Sequence, residues 1–407
     1  MARMQSGHTG NIATVLRGFL PAIAIIANSF AWYSSISVFF TDIVDGFQIA
    51  ASESLMIFGA FYVGAAASAV LGARLFTNMR RELSLAIWFI LGIFGSVSLI
   101  AISSEASALT LAASFFVGVT VGIGLPSCLA YFADSTVIEN RGLLGGITWA
   151  VSGLAMFLLA VLLSTLSFPA PILALAAWRC LGLVLLLIVG VHEPQPRQAH
   201  SYSSILRKKT VILCLLPWAM FCIINWVEVP LLENLIGSAY NLVMSVEFGI
   251  SGIFALVGGF FADLIGRKRL MIVGFILLGV EYAVLSLASG SQLSWYIFAV
   301  LDGITWGMFA VVFFMVTWGD LAGSMKTEKY YVVGGLPYLL AGFLAVAMKP
   351  YAQVIPVATA FTLASFFLFL AVVPLMYAPE TLPEKQIKER ELKGYVEKAK
   401  KTKEKYT

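Results

Sequence analysis

The sequence predicts an all-α polytopic membrane protein, with twelve transmembrane helices in two groups of six. Three observations lead there. First, 60% of the 407 residues are hydrophobic, with glycine outside that count, and only 12% are charged. A soluble domain is about a quarter charged, and a fold of this size could not hide so much apolar surface beneath so few charges. Second, apolar runs long enough to cross about 30 Å of hydrocarbon recur along the chain. They are continuous, unlike the short alternating segments of an outer-membrane barrel. Third, Lys and Arg cluster between alternate runs. This composition excludes a cytosolic enzyme, a secreted disulfide scaffold and a disordered chain. No basic face on a soluble module is present, so a nucleic-acid partner is not expected.

A polar N-terminal segment, 1–17, precedes the first run, which is too long for a cleavable signal. The predicted spans are 18–41, 52–76, 83–103, 107–133, 143–167 and 170–191, then 210–235, 239–262, 269–289, 293–318, 331–350 and 354–377. Between the sixth and seventh lies the longest central connection, 192–209, which is polar and carries Pro194 and Pro196. It divides a first bundle, 18–191, from a second, 210–377, and a charged tail, 378–407, follows. Twenty-four of the 26 Lys and Arg residues fall at the N-terminus, at even-numbered connections or in the tail. By the positive-inside rule both termini are cytoplasmic and the chain is a multi-pass protein of the plasma membrane. Arg179, within span six, and Lys349, at an outer end, are the exceptions.

The two halves read as a duplication. Gly118-Val-Thr-Val-Gly122 matches Gly303-Ile-Thr-Trp-Gly307 at an offset of 185 residues. The run from Gly72 to Arg81 matches that from Gly259 to Lys268 at 187, and Gly145-Gly146 matches Gly334-Gly335 at 189. Ordered matches at nearly one offset are the signature of an internal repeat, and parallel six-span halves are the plan of one large transporter fold.

The connection between spans eight and nine reads Gly259-x₃-Asp263-x₂-Gly266-Arg267-Lys268-Arg269. Gly259 admits a close helix approach, Gly266 supplies a turn, and the basic residues suit an anionic membrane surface. Asp263 can accept from free N–H groups at a neighbouring helix N-terminus. The motif resembles the cytoplasmic signature of the major facilitator superfamily, and the resemblance covers about residues 10–380. It implies alternating access between two bundles. It also implies a cytoplasmic latch of Gly259, Asp263, Gly266, Arg267 and Lys268, with Asp263 facing the start of span five near Gly142. The first-half copy has Phe76 and Met79 in place of the acid and the turn glycine, so one latch is expected, not two. Family features of drug/proton antiporters are missing: Ser114 stands where an arginine is usual, and 150–163 lacks their G-x₃-G-P run. His192 to Arg197 and Pro379-Glu380-Thr381 resemble, weakly, signatures of sugar-porter relatives.

An ionisable residue at membrane depth is costly and marks a functional candidate. Arg179, Glu228, Glu233, Glu247, Glu281 and Asp302 qualify. In the family fold, spans one, four, seven and ten line the cavity while three, six, nine and twelve are peripheral. That favours Glu228, which precedes a helix break expected at Pro230, and Asp302 as carriers of a coupling proton, with Glu247 a third candidate. It disfavours Arg179 and Glu281. Polar groups beside aromatics suit an organic solute; the candidates are Asn28, Trp32 and Tyr33 in span one, Asn225 and Trp226 in span seven, and Thr305 and Trp306 in span ten.

Cys128, Cys180, Cys214 and Cys222 lack metal-ligand spacing and read as buried small hydrophobes. No metal or cofactor is expected. The tail, with a capping box at Thr381 to Glu384 and i,i+4 charge pairs, reads as a short cytoplasmic helix. The sequence therefore points to a monomeric secondary transporter in the lipid bilayer that moves a small organic solute with protons, symport being favoured over export. The alternatives are an exporter of drugs or metabolites with the same fold, a non-transporting sensor, and a polytopic membrane enzyme.

Overall fold

A computed structural model describes residues 12–191 and 197–382. The tail helix and the motif at His192 to Pro196 lie outside the described residues. The first group of helices is α1 (Ile12–Gly46), α2 (Ala51–Phe76), α3 (Arg81–Ser98), α4 (Ala108–Gly122), α5 (Leu125–Asp134), α6 (Arg141–Ser164) and α7 (Ala170–Val189). A short helix, α8 (Tyr202–Leu206), lies in the central connection. The second group is α9 (Lys209–Ile236), α10 (Tyr240–Ile265), α11 (Arg267–Ala288), α12 (Gln292–Phe309), α13 (Thr317–Ala322), α14 (Glu328–Met348), α15 (Val357–Leu370) and α16 (Val372–Tyr377). Among the described residues, eleven helical elements are long and apolar enough to cross a membrane, and the chain is a multi-pass membrane protein. One of the eleven, Lys209–Ile265, is the continuous pair α9–α10, bent at a 3₁₀ turn over Gly237–Ala239 where Gly237 has φ 59°.

Helices before residue 191 pack among themselves, chiefly α2 on α4, α3 on α7 and α1 on α6. Those after 197 pair α10 with α12, α11 with α15 and α14 with α9. The two groups meet mainly where α6 lies on α10 and where α14 lies on α2. The glycine pairs of the repeat explain the tightest packings. A side chain at Gly118 or Gly122 would strike the carbonyls of Phe61 and Ala65 on α2, and one at Gly303 or Gly307 would strike those of Glu247 and Ser251 on α10. Backbones this close leave room only for hydrogen, which is how small residues join helices in lipid.

Each half carries an interrupted helix at the equivalent place. The α4–α5 pair breaks around Gly124, against which the Trp88 ring packs, and Trp88 Nε1 donates to the Thr120 carbonyl at 2.7 Å. Between α12 and α13 the chain runs through a π-helical stretch, Ala310–Val316. Tyr331 donates its hydroxyl to Met315 O at 2.7 Å there, so a carbonyl freed by the wider turn finds a partner. The helix break expected at Pro230 is absent: α9 continues through both Pro217 and Pro230. Proline deletes one helical hydrogen bond, and packing against neighbouring helices is enough to carry a membrane helix past it.

The central connection is tied to both groups. Tyr202 donates to the Val70 carbonyl at 2.9 Å, and burial pushes its hydroxyl up to about 12, so it stays a donor at neutral pH. From the other group, Lys326 N donates to Gln198 O at 2.9 Å and Lys329 Nζ to His200 O at 3.1 Å. Cys128, Cys214 and Cys222 are buried; Cys180 is exposed on the outer face of α7, against the expectation that all four are enclosed.

Candidate functional site

Three arrangements can carry function: a charged latch at one end, a cavity between the groups, and a carboxyl cluster beside that cavity. The latch grows out of the α10–α11 turn. Gly266 adopts φ 100°, a conformation a side chain would strain. Asp263 then meets the N-terminus of α6, accepting from Gly142 N at 2.9 Å and Leu143 N at 2.7 Å. These N–H groups have no partner within their own helix, so the carboxylate supplies both hydrogen bonds and a favourable dipole interaction. Gly259 makes the approach possible, since a side chain there would strike the Gly142 carbonyl. Arg267 is fully buried, 2.9 Å from Asp263 and 3.3 Å from Asp320, and donates to Ile138 O at 2.6 Å across the groups. Arg141 at the head of α6 reaches Asp320 at 2.6 Å. Glu380, from the Pro-Glu-Thr run, accepts from Arg267 N at 2.9 Å and Lys268 N at 3.1 Å, capping α11.

A second tie crosses the groups at the same end, where a single latch was expected. Arg81, at the head of α3, pairs with Asp134 and with Glu328 at the head of α14, both at 2.9 Å. Lys326 also reaches the Thr77 carbonyl. The first-half copy has Phe76 and Met79 in place of the acid and the turn glycine, but its Arg81, which the repeat aligns with Lys268, finds acids in Asp134 of its own group and Glu328 of the other.

Between the groups lies a cavity of about 340 Å³. Phe30, Tyr33, Tyr62 and Trp149 wall it from one group, and Trp226, Trp306, Phe314 and Tyr338 from the other. The rings pack edge to face or stacked: Trp149 on Phe314 at 5.7 Å, Trp226 on Tyr338 at 5.4 Å, Phe30 on Trp149 at 5.5 Å. Away from the latch the cavity meets a wider vestibule of about 1380 Å³ between α1, α6 and α10. Ser34, Val38, Met156, Glu247 and Phe248 belong to both walls.

Behind Glu247 lies the cluster. Asp302 on α12 lies beside the carboxyls of Glu247 on α10 and Glu281 on α11, and Glu228 on α9 lies beside Tyr282 on α11. Glu228 and Asp302 are 3% exposed and Glu281 is wholly buried. No Lys, Arg or His pairs with any of the four carboxyls among the described residues. Both Glu281 carboxyl oxygens, Asp302 Oδ1 and Glu228 Oε2 are buried with no hydrogen-bond partner among the described residues, so these acids are grouped by burial and proximity and not by counter-ions.

The structure therefore groups Asp302, Glu228 and Glu247, and adds Glu281, which the sequence disfavours because span nine is peripheral in the family fold, and Tyr282, which the sequence does not single out. A peripheral helix still turns one face inward, and that is the face carrying Glu281. Of the solute candidates, Tyr33, Trp226 and Trp306 line the cavity. Asn28 does not: it donates to Trp178 O at 3.0 Å and joins α1 to α7. Trp32 is enclosed, its Nε1 on Ser96 Oγ at 2.9 Å and the Arg179 guanidinium 4.2 Å from its ring centre. Thr305 bonds back to Leu301 O at 2.9 Å, and Asn225 is half-buried outside the cavity wall. Arg179 is a packing cation, stacked also on Trp88 and Phe89. Trp149, Phe314 and Tyr338 were not singled out by the sequence, where nothing separates a cavity aromatic from a packing one.

Several solved structures share this fold. The proton:xylose symporter XylE, bound to 6-bromo-6-deoxy-D-glucose, superposes with a TM-score of 0.65 at 15% identity, over 91% of this chain and 97% of that one. The fucose:proton symporter FucP of E. coli gives 0.65 at 12% identity, over 88% and 98%. The human organic anion transporter MFSD10 gives 0.63 at 15% identity, over 90% and 100%. No family model and no curated protein sequence matches the chain. The chain shares the fold of these three transporters.

Proposed function

We propose that the chain is a secondary active transporter, and not an enzyme, that moves a small organic solute by alternating access and couples that movement to protons. The observation that carries this reading is the position of Glu247, which stands in the cavity wall and beside Asp302 in the cluster behind it. A solute in the cavity and a proton in the cluster thus share one side chain. Two of the structural neighbours are themselves proton symporters of sugars. Solute charge decides the direction of coupling: a neutral solute can ride with the protonated acid, while a cation competes with it.

The membrane arrangement follows from length and charge. A helix as long as Lys209–Ile265, with 57 residues, would extend about 85 Å if straight, nearly three times the hydrocarbon thickness. The turn at Gly237–Ala239 therefore separates two crossings, giving twelve. The positive-inside rule supports a cytoplasmic latch end, and on that orientation the closed latch and the vestibule at the other end correspond to a state closed toward the cytoplasm. The test is uptake into proteoliposomes under an imposed pH gradient, with solutes first found by thermal-shift screening. Asp302→Asn is expected to abolish gradient-driven accumulation while retaining solute counterflow. Accumulation that survives the substitution would remove Asp302 from the coupling role.

A further inference from the structure

We infer that the cavity selects an organic cation of largely aromatic or aliphatic body, an inference that rests on the transporter reading for its physiological meaning. Three observations converge on it. First, Glu247 is the only carboxylate, and no Lys, Arg or His occurs, among the described residues lining the cavity. Second, the walls around it are the π-faces and edges of Tyr33, Trp149, Trp226, Trp306 and Tyr338. Aromatic rings attract a cation held near their faces, most strongly when water is excluded, and cages of this kind recognise ammonium groups. Third, the approach has the same sign. The vestibule carries Asp42 as well as Glu247 and has no basic residue in its wall, so its field draws cations inward and turns anions away.

Alternative solute classes fit less well. An anion would enter with no counter-ion to meet it, at the several-kcal/mol cost of an unpaired charge in an apolar site. A highly hydroxylated solute needs a donor or acceptor for most of its hydroxyls, while apolar rings cover most of this wall. The cavity, at about 340 Å³, suits a molecule of one ring and a substituted ammonium.

The mechanism of exchange is contained in the geometry. An ionised Glu247 pairs with the bound cation. A proton on Glu247 removes that charge and leaves a neutral carboxyl beside Asp302. Cation and proton thus occupy the site in turn, and each crossing of the loaded carrier in one direction is matched by a proton in the other. The net charge of the site is conserved for a monovalent cation.

Binding to the purified full-length protein tests this directly, with phenyltrimethylammonium, its neutral isostere tert-butylbenzene, and benzoate as probes, read by quenching of tryptophan fluorescence and by calorimetry. The cation is expected to bind, to bind more weakly as the buffer is acidified, and to release a proton on binding. Benzoate is expected not to bind. Glu247→Gln is expected to weaken the cation by about thirtyfold or more and to erase its pH dependence, while leaving tert-butylbenzene unchanged; Glu247→Asp restores part of the loss. Thermal unfolding of each variant in detergent separates loss of the site from loss of the fold. Benzoate binding as tightly as the cation, or a Glu247→Gln protein that holds the cation normally, overturns the inference. Cation binding without counterflow in proteoliposomes would instead sink the transporter reading and leave the ligand class supported. Counterflow of a neutral solute with no cation binding would do the reverse.

Discussion

Asp263 shows how much one carboxylate can organise. It satisfies two helix N-terminal donors on α6 and lies 2.9 Å from the buried guanidinium of Arg267. Asp263→Asn retains the side-chain shape but loses the charge, and its amide nitrogen cannot accept, so one of the two bonds from α6 is lost, the other weakens, and Arg267 keeps Asp320 as its remaining acid. The expected cost to the latched state is about 1–3 kcal/mol, the scale of charged hydrogen bonds. Labelling of a cysteine placed in the cavity, by a reagent added from the latch side, should speed up accordingly; an unchanged rate would show that the latch does not hold this end closed. The motif around Asp263 was legible because its chemistry is local: turn, acid and bases lie within eleven residues of sequence. Glu281 was legible as a costly charge but not as a neighbour of Asp302, because the proximity depends on the rotation of α11, which no local pattern encodes. Trp32 was misplaced for the same reason, since an aromatic at helical spacing looks identical whether it faces solute or Arg179.

At the scale of elements, α6 and α10 form a wedge. They touch at the latch end, where an added Cβ on Gly142 would come 2.6 Å from Gly259 O, and one on Gly146 would overlap Ala255 O. At the other end they diverge around the vestibule, and a Cβ on Gly249 or Gly252 would meet nothing within 4 Å. Gly259→Ala should therefore force the backbones apart at the latch end at about 1–3 kcal/mol, and mimic Asp263→Asn in the labelling assay. Gly249→Ala and Gly252→Ala, on the same helix, should be neutral or slightly stabilising, because alanine is the better helix former. Equal effects at all three positions would refute the wedge. The helices themselves were legible from continuous apolar runs, with limits near those observed, and the repeat was legible from its glycines because backbone contact permits no other residue. The π-helical stretch was not, since Ala310–Val316 is as uniformly apolar as any span. The second latch escaped for a different reason: Arg81 and Glu328 are 247 positions apart, and only folding makes them neighbours.

For the whole molecule, the two ends differ in what holds the groups together. At the latch end the ties are buried: Arg141–Asp320 on one side of the interface and Arg81–Glu328 on the other. At the opposite end the described residues give one ion pair across the groups, Lys349–Asp45 at 2.8 Å, and both partners are about half exposed. Exposed pairs contribute little, so the state closed at the latch end is favoured unless ligand binding offsets the loss of two buried ties. Alternating access then behaves as one two-state equilibrium with two locks on the same side. Asp263 ties Gly142, Leu143 and Arg267 on the α6–α10 side while Glu328 ties Arg81 on the α2–α14 side, so their free-energy contributions should add. Each of Asp263→Asn and Glu328→Gln should shift the equilibrium toward opening by about 5- to 150-fold, the span of 1–3 kcal/mol. The double variant should shift it by the product of the two, as read by energy transfer between dyes across the latch end. Asp45→Asn should move it far less, and in the opposite sense, because that pair holds the other end. A double variant no more open than the stronger single one, while the open population is still small, would show that the two ties do not gate a common motion. The rocking of two rigid groups about the cavity would then give way to separate local openings on the α6–α10 and α2–α14 sides.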